Sequence, residues 1–110
     1  MSLDRAATIQ RVQMSTVTES KVIGIAGIAW GLLHLPGNWA AGNITWHVWN
    51  PITESFVVPI DDQGTAVPDT AVTSGNSVYI PQVVAAAGKF RLVSSVNQEI
   101  GREFGIEVKR

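Results

Sequence analysis

The stretch VIGIAGIAWGLLHLPGNW, residues 22–39, contains no charged side chain. It is therefore either a membrane segment, a fusion-type peptide or a buried part of a soluble domain, and the fold class depends on which. A membrane-spanning helix needs about 20 predominantly apolar residues, whereas this run stops at Pro36 and already contains His34. Glycines within the run each cost a helix about 1 kcal/mol relative to alanine. Short apolar runs bounded by turn residues are typical of strands that are packed on both faces. We therefore predict two buried strands, over Lys21–Ile28 and Gly31–Leu35, rather than a membrane helix or a fusion-type peptide.

Later segments alternate apolar and polar residues, which is the pattern of a strand with one buried face. Ile44, Trp46 and Val48 share one face of a predicted strand. The same alternation predicts three more inward-facing sets, which are Phe56, Val58 and Ile60; Phe90, Leu92 and Ser94; and Phe104, Ile106 and Val108. One helical turn is predicted over Pro81–Ala87. The fold class that follows is all-β, an antiparallel β-sandwich or jelly roll with an extended N-terminal arm.

The arm is predicted because the N-terminal segment is polar and its few apolar residues, Ile9, Val12 and Met14, match neither helical nor strand spacing. We divide the chain into an arm, residues 1–20, and a β-sandwich domain, residues 21–110. The arm is either a flexible tail or a segment that becomes ordered by adding to a neighbouring subunit. It has no apolar h-region, so we do not expect it to be a secretory signal.

Composition and charge limit the possible partners. The net charge of -1 provides no overall attraction for nucleic acid, and we expect neither a nucleic-acid nor a membrane partner. Charged residues make up 15% of the chain, below the proportion of about 25% that soluble domains have, which predicts that partners cover part of the surface. No Lys or Arg lies between Lys21 and Lys89. Either the polar turns simply lack lysine, or acidic and basic parts of neighbouring copies meet.

The sequence lacks the residue patterns of common catalytic and metal sites, such as the G-x-S-x-G elbow and the phosphate-binding glycine loops. It contains no cysteine, and its two histidines, His34 and His47, have no metal-ligand spacing. The spacing of Asp61, Asp62 and Asp69 departs from the EF-hand pattern, which favours a solvated turn over a calcium site. We predict a protein that is not an enzyme and uses no cofactor or metal.

A protein of this kind acts through the surface that it covers. The residues predicted to form interfaces are apolar, aromatic or basic residues of the arm and of three strands: Ile9, Arg11, Val12, Met14, Trp30, Leu32, His34, His47 and Trp49. Aromatic side chains are enriched at protein interfaces. For Trp49 a second interpretation stays open, because an exposed indole can also stack on a sugar ring.

Four segments follow one another in a recognisable order: LPGNWAAGNITWHVW (35–49), SFVVPIDDQGTAV (55–67), GKFRLVSS (88–95) and FGIEVKR (104–110). In this order they resemble a family of small β-sandwich proteins encoded among the virion genes of tailed bacteriophages. The matching positions are Pro36, Trp39, Ile44, Thr45 and Trp46 in the first segment, Asp62 and Gly64 in the turn, and Arg91 and Leu92 in the late strand. The chain departs from the pattern at Ser94-Ser95, where the family has Ser-Gly.

The resemblance implies a structural virion protein that decorates and cements the capsid by bridging neighbouring major capsid subunits. It also implies the major capsid protein as partner and a homotrimer as the assembly. The expected location is the outer capsid surface of the virion, after synthesis in the host bacterial cytoplasm. Two alternatives from other classes are a carbohydrate-binding module or tail-associated receptor-binding accessory protein, and a membrane-active domain.

Overall fold

The computed structural model describes residues 8–25 and 30–109, which form two antiparallel sheets packed face to face. Sheet 1 contains, in spatial order, β1 (Thr8–Gln13), β9 (Glu103–Lys109), β3 (Trp30–His34) and β7 (Ser77–Tyr79). Sheet 2 contains β2 (Ile23–Gly24), β8 (Lys89–Ser94), β4 (Gly42–Asn50) and β5 (Ser55–Val57), and β6 (Thr70–Val72) also pairs with β4. The prediction of an all-β sandwich is confirmed.

The chain crosses repeatedly from one sheet to the other, at the connections β1–β2, β2–β3, β3–β4, β6–β7, β7–β8 and β8–β9. Each sheet is therefore assembled from strands that are distant in sequence. Residues on the inner face of both sheets then form one core, because alternate side chains of every strand point to the same side.

Sheet 2 supplies the bulkiest side chains of the core. Ile44, Trp46 and Val48 are buried, as their alternation predicts. The Trp46 ring lies 6.2 Å from the ring of Phe90. Its indole Nε1–H donates a hydrogen bond to Thr70 Oγ1 at 3.0 Å, so the polar atom of this buried side chain is satisfied.

One short helix, α1 (Gln82–Ala87), matches the predicted helical turn and buries Val84 and Ala85. It ends at Gly88, whose φ of 76° lies in the left-handed region that closes helices. A Cβ atom at this position would lie 3.0 Å from the carbonyl oxygen of Ile25. Both the backbone conformation and the neighbouring strand therefore require glycine here.

The N-terminal segment differs from the predicted arm. Residues 8–13 form β1, which pairs with β9 along its whole length, and Ser20 donates its N–H to the carbonyl of Leu92 at 3.0 Å. The predicted arm of residues 1–20 is thus wrong for residues 8–20, which belong to the sandwich. Residues 1–7 lie outside the described part of the chain. The alternation was hard to detect because Gln10, which is polar, is one of the inward-facing residues of β1.

The predicted inward set at Phe56, Val58 and Ile60 is also wrong. Val58 and Ile60 are 41% and 62% exposed, and Phe56 is half-buried on the outer side of sheet 2. β5 has only three residues and lies at the edge of its sheet. The alternating side chains of residues 56–60 are therefore not covered by the other sheet. Strand-like patterning alone does not place a residue in the core.

The charge-free stretch that opens the sequence contains β2 and β3. The predicted strand Gly31–Leu35 corresponds to β3, whereas the predicted strand Lys21–Ile28 is described only up to residue 25 and forms β2 at Ile23–Gly24. Ile23, Leu33 and Leu35 are buried in the core. Among the described residues, no helix combines the length and the hydropathy that crossing a membrane would need.

Candidate functional site

The outward-facing side chains of sheet 1 bring together five of the nine predicted interface residues. We call this surface the outer face, and it comprises Ile9, Arg11, Trp30, Leu32, His34, Ser77, Tyr79, Glu103, Gly105 and Glu107. Its members alternate along each strand with core residues such as Leu33 and Ile106. The face therefore joins segments that lie far apart in the sequence.

Three large apolar side chains of the outer face are exposed: Ile9 at 61%, Trp30 at 40% and Tyr79 at 74%. Trp30 and Tyr79 lie on the neighbouring strands β3 and β7, whereas Ile9 lies on β1 at the opposite edge of the sheet. The rings of Trp30 and Tyr79 lie 6.3 Å apart at 67°, an edge-to-face contact that limits the orientations of both side chains. Large apolar side chains grouped on a solvent-facing sheet are typical of a contact with another protein.

A hydrogen-bonded row crosses three strands of the outer face. His34 Nε2 lies 2.8 Å from Glu107 Oε1, and His34 Nδ1 lies 2.7 Å from Ser77 Oγ. Because a carboxylate only accepts, Nε2 carries a proton, and in the neutral imidazole Nδ1 accepts from the Ser77 hydroxyl. The row connects side chains of β7, β3 and β9.

Ser, His and Glu are also the residue types of a nucleophile, its base and the group that orients the base. A hollow lies beside His34 in this structure, but its lining includes Arg11, Glu103 and Gly105 and does not include Ser77. The row holds β7, β3 and β9 together on the solvent-facing side of sheet 1.

The hollow itself has a volume of about 350 Å³ and lies over Gly105, where β9 has no side chain. Its lining mixes apolar and charged groups: Ile9, Arg11, His34, Leu35, Pro36, Glu103, Phe104 and Gly105. Arg11 and Glu103 form an ion pair at 3.7 Å with side chains that are 79% and 47% exposed. Such an exposed and long pair contributes little to stability, so both groups can rearrange toward a partner.

His47 and Trp49 lie on the other side of the molecule, on the outward-facing side of sheet 2. The Trp49 ring contacts Phe56 edge to face at 5.2 Å, and Lys89 Nζ lies 4.8 Å from the ring centroid. A sugar ring that stacked on this indole would have to displace the ammonium group. Trp49 is therefore already engaged within the protein.

His47 has an unusual environment. Its Nδ1 atom is buried without a hydrogen-bond partner. Burial lowers the pKa of His47, and the nearby Arg91 guanidinium lowers it further, whereas Glu19 and Asp69 act in the opposite direction. The imidazole thus resists protonation in the folded protein.

Two predicted interface residues are corrected by the structure. Val12 and Met14 are only 5% and 1% exposed, because both point from the N-terminal segment into the core. They are therefore not available to a partner in the folded protein. Ile9 and Arg11 alternate with the inward-facing residues Gln10 and Val12 along β1, so their side chains lie on the outer face.

Sequence reasoning missed Tyr79 and Gly105, although each had a detectable signal. Tyr79 is a large aromatic residue between Val78 and Ile80, at a position that alternation assigns to solvent. Gly105 interrupts the alternating series Phe104, Ile106 and Val108 at an outward position. Neither signal identifies a surface until the neighbouring strands are known.

The acidic residues weighed as a calcium site have a structural role. Asp61 Oδ1 accepts hydrogen bonds from the N–H groups of Gln63 and Thr65, each at 2.9 Å, which closes the turn after β5. Within residues 8–25 and 30–109, no three or more His, Asp or Glu side chains are grouped so that they could hold a metal ion.

A second group of exposed apolar side chains lies in and around β5. We call residues 52–60 the β5 segment, and its exposed members are Ile52, Val57, Val58 and Ile60. Ile52 is 88% exposed, at the turn between β4 and β5. Strand β5 within this segment belongs to sheet 2, whereas the outer face belongs to sheet 1.

Comparison of the chain with protein-family models, with curated proteins and with solved structures gives no match.

Proposed function

We propose that this protein is a non-enzymatic structural virion protein that decorates and cements a bacteriophage capsid. One observation carries the proposal: the exposed large apolar side chains include two groups on different sheets, the outer face and the β5 segment. A cement protein must contact at least two neighbours at once, and two separate apolar surfaces meet that need. The order of sequence segments that resembles small phage virion proteins supports the same function.

In the proposed assembly the protein is a homotrimer on the outer capsid surface, and it bridges neighbouring subunits of the major capsid protein. The outer face holds the sister copies together, and the β5 segment contacts the capsid. The acidic residues Glu54, Asp61 and Asp62 lie in or next to the β5 segment, and the segment contains no Lys or Arg. An apolar capsid surface with a basic rim would complement it.

Bridging by many identical contacts raises the resistance of the capsid shell to rupture, and no single contact needs to be strong. Once one subunit of a trimer is attached, the others bind at high effective concentration. A modest contact by each β5 segment is therefore sufficient for firm attachment of the whole trimer.

Co-sedimentation with capsids that were assembled without this protein tests the proposal. The wild-type protein should pellet with the capsids and saturate a fixed number of sites. Replacing both Ile52 and Ile60 by Lys should weaken binding at least roughly tenfold, because two apolar contacts are lost and charge is added. Ile100→Lys is the matched control, since Ile100 is 65% exposed and lies outside both apolar groups.

Two results would reject this function. The wild-type protein could fail to pellet with capsids at any concentration tested, or the double variant could bind as tightly as Ile100→Lys. In the alternative function as a carbohydrate-binding module or receptor-binding accessory, a glycan array would give a binding signal that Trp49→Ala abolishes. The contacts of Trp49 with Lys89 and Phe56 favour the cement function over this alternative.

A further inference from the structure

We propose that the sister copies join by a knob-into-hollow contact, in which Tyr79 of one copy enters the hollow over Gly105 of the next. This inference rests on the trimer of the proposed function and identifies the surface that forms it. The partner is a second copy of this chain.

The position of Gly105 is the first observation. It lies in the middle of β9, and its φ angle is not among the positive values that favour glycine. A Cβ atom there would meet Ile9 Cγ2 at 3.6 Å and His34 Cβ at 3.8 Å, which are ordinary contacts. The fold of a single copy therefore does not require glycine, although glycine weakens a strand. The close approach of a group from outside the chain accounts for a glycine at such a position.

The chemistry of the hollow fits a tyrosine. Ile9 and Pro36 offer apolar contacts for a ring, and Glu103 offers a carboxylate within the same lining for a hydroxyl. Arg11 provides electrostatic complementarity, because its guanidinium is largely exposed and an aromatic ring face attracts a cation. A hollow of about 350 Å³ is large enough for one such side chain.

Tyr79 supplies a matching knob. It is the most exposed aromatic side chain of the outer face, at 74%, and the Trp30 ring supports it from one side. A side chain held in this way loses less conformational entropy when it docks. Tyrosine and tryptophan are also the residues that most often dominate the binding energy of protein interfaces.

The placement of knob and hollow favours a closed ring. Tyr79 belongs to β7 at one edge of sheet 1, whereas the hollow lies toward β1 at the opposite edge. A contact between opposite edges of the same face can form a closed assembly when the copies are related by rotation about one axis, as a two-fold pair or as a ring of three. With strands about 4.8 Å apart and about 3.3 Å per residue, the face measures on the order of 20 Å by 20 Å. That extent suits a modest protein–protein contact.

Native mass spectrometry and sedimentation velocity of the full chain test the inference. The wild-type protein should form a trimer at micromolar concentration. Tyr79→Ser should raise the dissociation constant roughly hundredfold, as expected for loss of an interface anchor. Gly105→Ala should raise it roughly tenfold by narrowing the hollow. Ile52→Ser is the control, because Ile52 is exposed but lies in the β5 segment.

Circular dichroism of each variant separates lost assembly from lost folding. Gly105→Ala is useful here because the added methyl group makes only ordinary contacts within one copy. A monomeric wild-type protein overturns the inference, and so does a trimer that survives both Tyr79→Ser and Gly105→Ala. The capsid co-sedimentation gives a separate readout. A trimer that does not bind capsids refutes the proposed cement function and leaves this inference standing. A monomer that binds capsids refutes this inference and the trimer, and leaves attachment to the capsid standing.

Discussion

At the scale of single residues, the two histidines show how much a local pattern can predict. His34 is the one titratable residue in a long apolar run, and its residue type and position predict an interface residue; in the structure it lies on the outer face and contacts Ser77 and Glu107. Neither partner could be predicted, because they lie 43 and 73 residues away in the sequence. His47 is likewise predicted to lie at an interface; it is half-buried beside Arg91 of the neighbouring strand, and its interface role stays a prediction.

His47 should make stability depend on pH in a predictable direction. Its pKa is lowered in the folded protein, so at mildly acidic pH the unfolded chain binds a proton more readily than the folded one. This contribution to stability is fully present above the ordinary histidine pKa of about 6.5 and is lost as pH falls below that value. The loss ends at the lower pKa of the folded state.

Thermal unfolding at pH 7.5 and at pH 5.5 measures this effect. His47→Gln should reduce the drop in Tm between the two pH values, because glutamine keeps a polar side chain but does not titrate. The interval between pH 5.5 and pH 7.5 lies above the range in which ordinary carboxylates titrate. Carboxylates therefore contribute little to the difference in Tm. An equal drop in the wild type and the variant would show that His47 does not contribute.

At the scale of elements, prediction succeeded where alternation was strong and failed where a strand was short or mixed. The prediction of β4 is correct because three bulky apolar residues occupy every second position. The pair Asn50-Pro51 stops the strand. β1 was missed because its inward residues include Gln10, and β5 was placed inward although it is an edge strand. Single-strand patterns do not reveal which layer lies opposite, since that depends on long-range pairing.

The revised role of the N-terminal segment gives a second prediction. Met14→Ala should lower the free energy of unfolding by about 2–5 kcal/mol, because it leaves a cavity in the core. Val17→Ala, a change in the same segment at a side chain that is 39% exposed, should cost much less. Urea denaturation measures both values.

If residues 8–20 instead behaved as a dispensable arm, the two variants would have similar stabilities. Deletion of residues 2–18 extends the test. It removes β1 and the bridge between Met14 and Ser20, which uncovers Phe104 and Ile106 of β9. The truncated chain should therefore lose its cooperative unfolding transition, and a truncated chain that unfolds like the wild type would contradict the structure.

At the scale of the whole molecule, the candidate site depends on topology more than on any motif. Ile9, Trp30, Tyr79 and Gly105 come from four strands that become neighbours only in the folded sheet. The sequence predicted members of this surface from their residue types, but it could not group them or separate them from Val12 and Met14. Within each strand, alternate residues face the core and the surface. Which of the two sets faces the core is known only once the strand has been placed in its sheet.

The two apolar groups determine how the molecule is oriented in the proposed assembly. The β5 segment is assigned to the capsid and the outer face to the sister copies, so each surface has its own partner. Mutations in one surface should leave the other contact intact, because the two groups lie on different sheets and share no residues.

A cryo-electron microscopy map of decorated capsids would show both proposed contacts at once. We expect trimeric density on the outer capsid surface, with residues 52–60 of each copy against the major capsid protein. We also expect the outer faces of the three copies to turn toward one another, with Tyr79 over Gly105 of the neighbouring copy. A map in which the outer face is open to solvent and the β5 segment touches no capsid subunit would refute the proposed assembly.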